Sequence, residues 1–333
     1  MTHTSATKGR PPWRPDRTGG RLLTASASGT ALDLGATWFW DGELRVAALA
    51  QHTGAGPFDQ HLAGDVLLQD TTGIRRVRGN LLDVPSYRFA AGAQHLTSRL
   101  AAELPPGRLR LETPVTALRP SARGGLEVRT PTSALHAEHV VLALPPALAA
   151  ERIDFDGALP DDLLRLARST PVWMGAVAKV VAHYPTAFWH EAGLTGAAFS
   201  RSGPLQEVHD MSGPGGRPAA LFGFAYARAV GPAFESQVTD QLVRLFGPDA
   251  ASPLALHLQN WNAEHWTAPP TAHRLIDYSL FGHPLYQQPA LDGRLHWAST
   301  ETATDHPGHI EGALAAGERA AQAVLSAPAT THR

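Results

Sequence analysis

The stretch that decides the fold reads TETAT at residues 300–304 and, after a short loop, GHIEGA at 308–313 and AGERAA at 316–321. The residues before it, RLHWA at 294–298, are typical of a strand, and those after it of a helix. Small residues at the start of a helix let the backbone approach a ligand closely. The unpaired N–H groups there can meet an anion or the polar edge of a ring. This order of strand, loop and helix predicts a ligand-binding turn.

The composition limits the classes of protein to which the chain can belong. Its 333 residues are 43% hydrophobic and 17% charged, which predicts a soluble globular protein with one large core or two domains. The net charge of −2 gives no reason to expect nucleic acid or an anionic membrane as a partner, and no apolar run is long enough to span a bilayer. Cysteine is absent, which excludes disulfides, thiolate metal sites and thiol catalysis.

The first residues of the chain do not resemble a signal peptide. Residues 1–20 are polar and rich in Pro, Arg and Gly, so they lack the apolar core of a signal peptide. Residues 1–15 are expected to form a disordered tail. Together with the absence of cysteine, these features favour a cytoplasmic location.

Apolar periodicity and turn residues predict a mixture of strands and helices. Helices are expected at 93–104, 161–169, 233–246 and 310–325, and strands at 21–24, 31–34, 65–68, 109–118, 126–130, 140–144, 177–184, 219–226, 254–261 and 294–298. The run VVLAL at 140–144 is typical of a strand buried on both faces. Because strands and helices do not alternate regularly, the predicted fold class is α/β with an α+β insertion.

Six further segments resemble motifs of one enzyme family. They read DRTGGR at 16–21, DLGATW at 33–38, FAAGAQ at 89–94, VLALPP at 141–146, MGAVAK at 174–179 and NW at 260–261. With the stretch at 300–321, they resemble the flavin-containing amine oxidases, the family of monoamine and polyamine oxidases. The resemblance covers roughly residues 16–325. It implies a FAD/NAD(P)-binding-type domain and a substrate domain built on a mixed sheet.

The resemblance implies FAD as the cofactor. It would be bound non-covalently, since APP at 268–270 stands where some relatives carry a flavin-linking cysteine. The implied contact residues are Gly19, Gly20, Arg21, Gly35, Thr37, Trp38, Val115, Leu144, Trp261, Thr300, Glu301, Gly308, His309 and Ile310. Glycine permits close approach of a backbone, and arginine can bind phosphate through two hydrogen bonds. Alternatively, residues 19–21 form an ordinary turn, both tryptophans belong to the core and Glu301 is a structural acceptor.

Lys179 is the candidate catalytic residue. It lies in the middle of the predicted strand 177–184 between apolar neighbours, where an ammonium group is costly to bury without a partner. The resemblance implies that it holds a water near N5 of the flavin. The alternative is a lysine at a strand edge whose side chain reaches solvent.

The resemblance places Trp266, Thr271 and His309 on the substrate side of the site. Many relatives have two tyrosines that form an aromatic cage beside the flavin, and here Thr271 and His309 stand at those positions. The implied reaction is oxidation of a C–N bond in a small-molecule amine or related substrate, by hydride transfer to flavin N5 with O2 as final acceptor. The stretch between Trp40 and Phe89 is short for the family, which implies an open substrate pocket.

One part of the family pattern is missing. Relatives open with a βαβ unit carrying G-x-G-x-x-G, whereas GAGPFD at 54–59 and GPGGRP at 213–218 both break that motif. The FAD-binding domain is therefore expected to lack its first βαβ unit, because the reading frame starts upstream or because the protein is a degenerate relative. The expected domains are an incomplete FAD-binding domain at 16–50, 91–168 and 264–327, and a substrate domain at 51–90 and 169–263.

The sequence leaves room for other functions. Asp305, His306 and His309 could form a metal site with two histidines and one carboxylate, but exposed loop histidines are the simpler interpretation, so no metal is expected. A hydrolase would need a G-x-S-x-G elbow or a similar turn, which the sequence lacks. The stronger alternative is a pseudoenzyme that keeps the fold, binds no FAD and has a binding or structural role.

Overall fold

The computed structural model describes residues 17–27, 29–80, 83–267, 269 and 278–327. Its strands are β1 (Thr24–Ala27), β2 (Thr30–Asp33), β3 (Phe39–Trp40), β4 (Pro57–Asp59), β5 (Asp65–Asp70), β6 (Gly73–Val77), β7 (Ser86–Phe89), β8 (Ala117–Pro120), β9 (Leu126–Arg129), β10 (Ala134–Ala137), β11 (Val140–Leu142), β12 (Val177–Tyr184), β13 (Leu194–Ser200), β14 (Leu205–Asp210), β15 (Ala219–Tyr226), β16 (Ala255–Asn260) and β17 (Leu295–Trp297). Its helices are α1 (Leu44–Thr53), α2 (Gln94–Glu103), α3 (Pro146–Arg152), α4 (Asp161–Ser169), α5 (Phe188–Glu191), α6 (Phe234–Phe246) and α7 (Ile310–Leu325).

Seven strands form the largest sheet, in the order β16-β12-β15-β14-β13-β5-β6. Neighbouring strands are antiparallel except β13 and β5, which run parallel. Helix α6 covers one face, where Val180 and Ala182 of β12 share a buried cluster with Phe234 and Val238 of the helix. The apolar face of α6 thus explains why alternate residues of β12 are apolar.

The opposite face of β12 carries Lys179 and Val181, because side chains alternate along a strand. Val181 belongs to a buried cluster with Leu32 and Leu34, which lie in and just after the β1–β2 hairpin, and with Phe222 of β15. The hairpin therefore packs on this face of the sheet. Its packing brings the segment 34–38 against Lys179.

A second core lies around the parallel pair β11 and β17. Leu142 and Trp297 from these strands share a buried cluster with Leu159 and with Leu163 of α4. The prediction that residues 140–144 are buried on both faces is wrong at Val141, which is 43% exposed. Among the described residues, the cluster covers only the face of the strand pair that carries Leu142. The side chain of Val141 lies on the other face and is exposed to solvent.

A third core joins α1 and α2 to the small sheet β3-β7-β4. Phe39, Val46, Phe89 and Leu96 form its centre. Helix α7 packs beside α1 at the edge of this core, where its Leu314 contacts the cluster. The N-termini of α1 and α7 are consequently close to each other.

Several predicted elements have the bounds seen in the structure, among them β12, β15, α4 and α7. The predicted strand 109–118 is wrong, since β8 begins only at Ala117. Glu112 has a positive φ of 51° and Pro114 has no backbone N–H. Residues 112–114 therefore cannot continue the hydrogen-bonding pattern of a strand. Of the helices within the described residues, none has the length and apolarity needed to cross a membrane.

Candidate active site

Lys179 lies at the centre of the candidate site and is fully buried in the middle of β12. Its Nζ donates to the carbonyl oxygen of Gly35 at 3.0 Å and to Oγ1 of Thr37. The same atom lies 4.2 Å from the centre of the Phe222 ring. The alternative of a strand-edge lysine reaching solvent is therefore wrong, because neighbouring strands and the segment 34–38 enclose the side chain.

The buried position changes the acidity of this ammonium group. Burial lowers the pKa of Lys179 to about 7, and the positive charge of Arg88 acts in the same direction, while the carboxylate of Asp33 opposes both. Cation–π contact with Phe222 and the bonds to Gly35 and Thr37 offset part of the cost of burial. Lys179 can consequently exist in both protonation states near neutral pH.

Lysine is rare in this chain. The sequence has only two, Lys8 and Lys179, among 28 basic residues of the Lys and Arg types. Arginine stays charged at any accessible pH, whereas a buried lysine can lose its proton. A lysine at position 179 can therefore take part in proton transfer, which an arginine could not.

Gly35 passes close to the backbone of the segment at residues 21–23. A Cβ at this position would overlap the carbonyl oxygen of Arg21, and Leu23 N would lie 2.8 Å away. Only glycine lets the two segments approach so closely. The close approach fixes the carbonyl of Gly35 where Lys179 can reach it.

Arg21 and Glu301 form a bidentate ion pair between the two ends of the described chain. The distances are 2.5 Å from Nη1 to Oε1 and 3.1 Å from Nη2 to Oε2. Glu301 is 1% exposed and Arg21 is partly exposed, so the guanidinium can also contact a ligand. The turn before Arg21 contains Gly19 and Gly20, with φ of 103° and 52°.

The turn after β17 is tied to the start of α7 by one hydroxyl. Thr300 Oγ1 accepts from the backbone N–H of Gly308 at 2.8 Å and donates to the carbonyl oxygen of His309 at 2.8 Å. Gly308 has a φ of 89° and nothing within 4 Å of the position of a Cβ. The loop therefore leaves room beside its own backbone.

Aromatic rings connect this turn to Lys179. The His309 ring lies 4.9 Å from that of Trp40, Trp40 lies 6.2 Å from Trp38, and Trp38 lies 5.1 Å from Phe222. Phe222 in turn carries the ammonium of Lys179 on its face. We call these four rings the aromatic wall. A wall of this kind favours a cationic or apolar group beside it.

Comparison with known proteins identifies the family. The profile of the flavin containing amine oxidoreductases matches residues 56–325. The chain belongs to this family. Putrescine oxidase of Kocuria rosea is 31% identical over 274 residues, which are 76% of this chain and 56% of that protein. The flavin-containing amine oxidase A of Equus caballus is 29% identical over 72% of this chain and 46% of its own length. The chain spans about half the length of the curated relatives it matches.

Solved structures of amine oxidases share the fold. Putrescine oxidase bound to putrescine superposes with a TM-score of 0.80 at 20% identity, covering 94% of this chain and 92% of that chain. Cyclohexylamine oxidase from Brevibacterium oxydans also gives a TM-score of 0.80, at 22% identity. At such identities the likeness establishes the fold alone. It confirms the predicted α/β class, and the family match confirms the predicted kinship with flavin-dependent amine oxidases.

The structure places the remaining predicted residues in different surroundings. Trp261 is fully buried beside the same segment as Lys179, and its Nε1 donates to the carbonyl oxygen of Leu34 at 2.9 Å. Val115 and Leu144 instead pack against the second core. Ile310 contacts the third core at the start of α7.

Two predicted substrate residues do not belong to the group of residues around Lys179. Trp266 is half-buried, with its ring 5.1 Å from that of His265 and the guanidinium of Arg152 about 6.0 Å from its centre. Thr271 lies outside the described residues, as do 268 and 270 of the APP segment. Their roles stay predictions.

Several polar atoms near the site are buried and have no hydrogen-bond partner among the described residues. Two of them are Nε2 of Gln259 and Oγ of Ser299. Gln259 is the direct cross-strand partner of Lys179, and Ser299 immediately precedes the turn 300–302. Buried polar groups are usually paired, so these atoms mark places where a polar ligand fits. With the open space at Gly20 and Gly308, the site is compatible with a cofactor rich in polar atoms.

A histidine with two carboxylate partners lies next to the aromatic wall and was not predicted from the sequence. Buried His209 lies 2.9 Å from Asp83 and 3.5 Å from Glu207, with its ring 5.1 Å from Trp38. Burial alone would lower the pKa of His209, but the hydrogen bonds and charges of both carboxylates raise it. The signal was weak, because β14 was not predicted and Asp83 is remote in sequence.

Asp33 was also missed, although it belongs to the quoted DLGATW segment. It is buried, and its Oδ1 accepts from Thr24 Oγ1 at 2.6 Å and from the backbone N–H of Ala93 at 2.9 Å. Burial raises the pKa of Asp33, while the Thr24 bond and the charge of Lys179 lower it. Asp33 thus supplies the negative charge that opposes the deprotonation of Lys179.

Proposed function

We propose that this protein is an FAD-dependent amine oxidase that oxidises the C–N bond of a small-molecule amine. The observation that carries the proposal is the buried Lys179, whose ammonium faces an aromatic wall within the family fold. FAD, when bound, supplies a hydride acceptor at N5 and electron transfer to O2 with release of peroxide. The activity, the substrate and the cofactor of this chain are our inferences from the fold, the site and the family.

The residues that would hold FAD are those implied by the sequence: Gly19, Gly20, Arg21, Gly35, Thr37, Trp38, Val115, Leu144, Trp261, Thr300, Glu301, Gly308, His309 and Ile310. Two observations support this set. Arg21 presents a partly exposed guanidinium next to an open turn, which suits a phosphate oxygen. Ser299 Oγ and Gln259 Nε2 offer buried polar atoms without protein partners.

Lys179 would position a water at the reacting face. An ammonium has three N–H donors, and two of them are used by Gly35 and Thr37. The third remains for a water molecule. Because the pKa of Lys179 is lowered to about 7 by burial, the group can also give up or take a proton near neutral pH.

The aromatic wall would guide the amine. A cation over tryptophan or phenylalanine faces gains about 0.5–2 kcal/mol, depending on how far it is desolvated. The wall runs from Lys179 to His309, so an amine following it reaches the region between the two groups. The proposed division into FAD-binding segments at 16–50, 91–168 and 264–327 and substrate segments at 51–90 and 169–263 is consistent with this path.

A second candidate is a non-catalytic relative that keeps the fold. The observation that favours it is the lack of a G-x-G-x-x-G motif within the 333 residues. Such a motif binds the pyrophosphate at a helix N-terminus. Titration of the purified protein with FAD, followed by flavin fluorescence, separates the two candidates. Saturable binding by residues 1–333 would contradict the non-catalytic relative, which binds no FAD.

Anaerobic mixing with amines tests the oxidase directly. We expect a panel of primary and secondary amines to bleach the bound flavin, and O2 to restore its colour with release of peroxide. In Lys179→Met we expect slower reduction or slower reoxidation with FAD binding largely kept. A bound flavin that no amine bleaches would contradict the proposed function. Unchanged rates for both half-reactions in the variant would remove Lys179 from the catalytic residues.

A further inference from the structure

His309 forms a short hydrogen bond with a buried carboxylate. Its Nδ1 lies 2.5 Å from Oε1 of Glu43, which is 2% exposed, and the other oxygen of Glu43 accepts from the backbone N–H of Trp40 at 3.0 Å. The His309 side chain is 41% exposed. A carboxylate at Nδ1 holds the proton of a neutral imidazole on that nitrogen, which leaves Nε2 as a hydrogen-bond acceptor.

The location of the pair links it to the proposed site. His309 is the N-cap residue of α7, and its carbonyl oxygen is bonded to Thr300 in the turn that also carries Glu301. Its ring begins the aromatic wall that ends at Lys179. A molecule bound beside the Trp40 end of the wall would therefore meet His309.

We propose that the His309–Glu43 pair accepts the proton that an ammonium substrate must lose before oxidation. The inference rests on the proposed function, because it concerns the substrate of that reaction. An alkyl amine has a pKa close to the lysine value of about 10.4, so only about one molecule in 2,500 is neutral at pH 7. A protonated amine has no lone pair with which to expel a hydride from the adjacent carbon.

The proton and electron balance is simple. The N–H proton of R–CH2–NH3+ passes to Nε2 of His309, and the amine regains its lone pair. With FAD bound to accept a hydride from the adjacent carbon, that lone pair would form the C=N bond of the iminium product. The imidazolium is stabilised by Glu43 until its proton leaves through the exposed part of the ring.

The charged groups around His309 favour this role. On α1, Glu43 faces the ring, while Arg45 is engaged by Glu311 of α7 at 3.0 Å. In the preceding loop the ring of His306 lies 6.1 Å away, and Asp305 is exposed. Glu43 is therefore the carboxylate that acts directly on His309, since Glu311 is occupied by Arg45 and by the start of α1.

The first test compares two amines of similar shape in His309→Gln. One is an ordinary alkyl amine, and the other carries a trifluoromethyl group on the amino-bearing carbon, so that it is largely neutral at pH 7. We expect the rate of flavin reduction to fall about 100-fold with the basic amine, within the range usual for a general base, and to change little with the fluorinated amine. His306→Asn, an exposed neighbour whose φ of 48° suits asparagine, is the matched control and should behave like wild type.

The pH profile gives a second readout. In wild type, the rate of flavin reduction by the basic amine should depend only weakly on pH below the pKa of the substrate, because the amine loses its proton within the site. In His309→Gln the rate should rise with pH toward the pKa of the substrate. If His309 had a purely structural role, His309→Gln would lower the rate of flavin reduction equally with both amines and leave the shape of the pH profile unchanged. That result would overturn the proposal. Wild type that is inactive with both amines would refute the proposed function itself.

A third measurement needs no activity. Nitrogen-15 NMR of the histidine rings in the cofactor-free protein should show His309 as the tautomer with its proton on Nδ1. In Glu43→Gln the amide N–H2 can donate to Nδ1, so the proton should move to Nε2 and the acceptor should be lost. If His309 already carries its proton on Nε2 in wild type, the pair cannot act as the proton acceptor.

Discussion

Glu311 on α7 accepts a hydrogen bond from the backbone N–H of Val46 on α1, with 2.9 Å between Oε2 and N. Its other oxygen contacts N and Nη1 of Arg45 at 3.3 and 3.0 Å. Glu43, the N-cap residue of α1, makes no capping bond with its own side chain. The final helix thus supplies the cap that the local sequence of α1 does not provide.

This cap predicts a stability difference between two glutamates on one helix. Glu311→Ala should lower the free energy of unfolding by about 2 kcal/mol, the upper value for losing a cap, because Glu311 is buried. Glu318→Ala removes only an exposed partner of Arg45 and should cost less than about 1 kcal/mol. Urea denaturation of both variants measures the difference. Equal losses would show that Glu311 acts as an ordinary ion-pair partner.

The acidity of Lys179 can be measured because the chain has only two lysines. Isotope labelling of lysine should give two signals, and the one missing in Lys179→Met belongs to Lys179. We expect that signal to titrate near pH 7, as burial lowers the pKa of the group. A titration midpoint near the usual value of about 10.4 would show that the ammonium is solvated.

The same shift predicts how stability depends on pH. Between pH 7 and about 10.4 the unfolded chain binds the proton of Lys179 and the folded chain does not, so the free energy of unfolding rises with pH across that window. Below pH 7 the full cost of burying the charge is present. Lys179→Met should therefore stabilise the protein more at pH 6.5 than at pH 10. Denaturation curves of both proteins at the two pH values test this, and a pH-independent difference would contradict it.

Gly35 should be intolerant of a side chain. Gly35→Ala places a Cβ against the carbonyl oxygen of Arg21, so we expect a loss of about 1–3 kcal/mol and weaker FAD binding. Gly231→Ala is the control, because a Cβ there meets nothing within 4 Å and the backbone is not left-handed. Thermal unfolding and FAD titration of both variants distinguish local overlap from a general effect of removing glycine.

The Asp83–His209 pair should stabilise the fold over a limited pH range. The folded pKa of His209 is raised by its carboxylate partners, so its contribution is full below about pH 6.5 and is lost as pH rises through the folded value. Burial raises the pKa of Asp83, but the bond to His209 outweighs it and the net pKa is lowered. Asp83→Asn should therefore cost about 2 kcal/mol near pH 6 and less near pH 9. A cost that does not change with pH would exclude a charged His209.

The elements predicted best from sequence were those with an uninterrupted apolar pattern. β12 and β15 are central strands of the large sheet, and α7 has a long apolar stripe, so tertiary packing and local periodicity agree there. Helix α1 was not predicted, since its cap comes from Glu311 and leaves no signal near its own start. Local patterns cannot report a stabilising group that is distant in sequence.

The candidate site was predictable only in part. Quoted motifs located Lys179, Arg21, Glu301 and His309, because each lies in a segment that resembles the family. The partner that defines the chemistry of His309 is Glu43, which no motif marked. Pairings of this kind depend on how α1 and α7 pack, and packing becomes visible only in three dimensions.

The ion pair between Arg21 and Glu301 joins residues from opposite ends of the described chain, and Lys179 comes from its middle. Contacts so distant in sequence form slowly, because the intervening chain must lose its freedom before they can be made. During synthesis, α6 and the strands around β12 can associate early, whereas the cofactor contacts must wait for the turn after β17. FAD bound at the proposed site would therefore associate with the protein only after α7 has been translated.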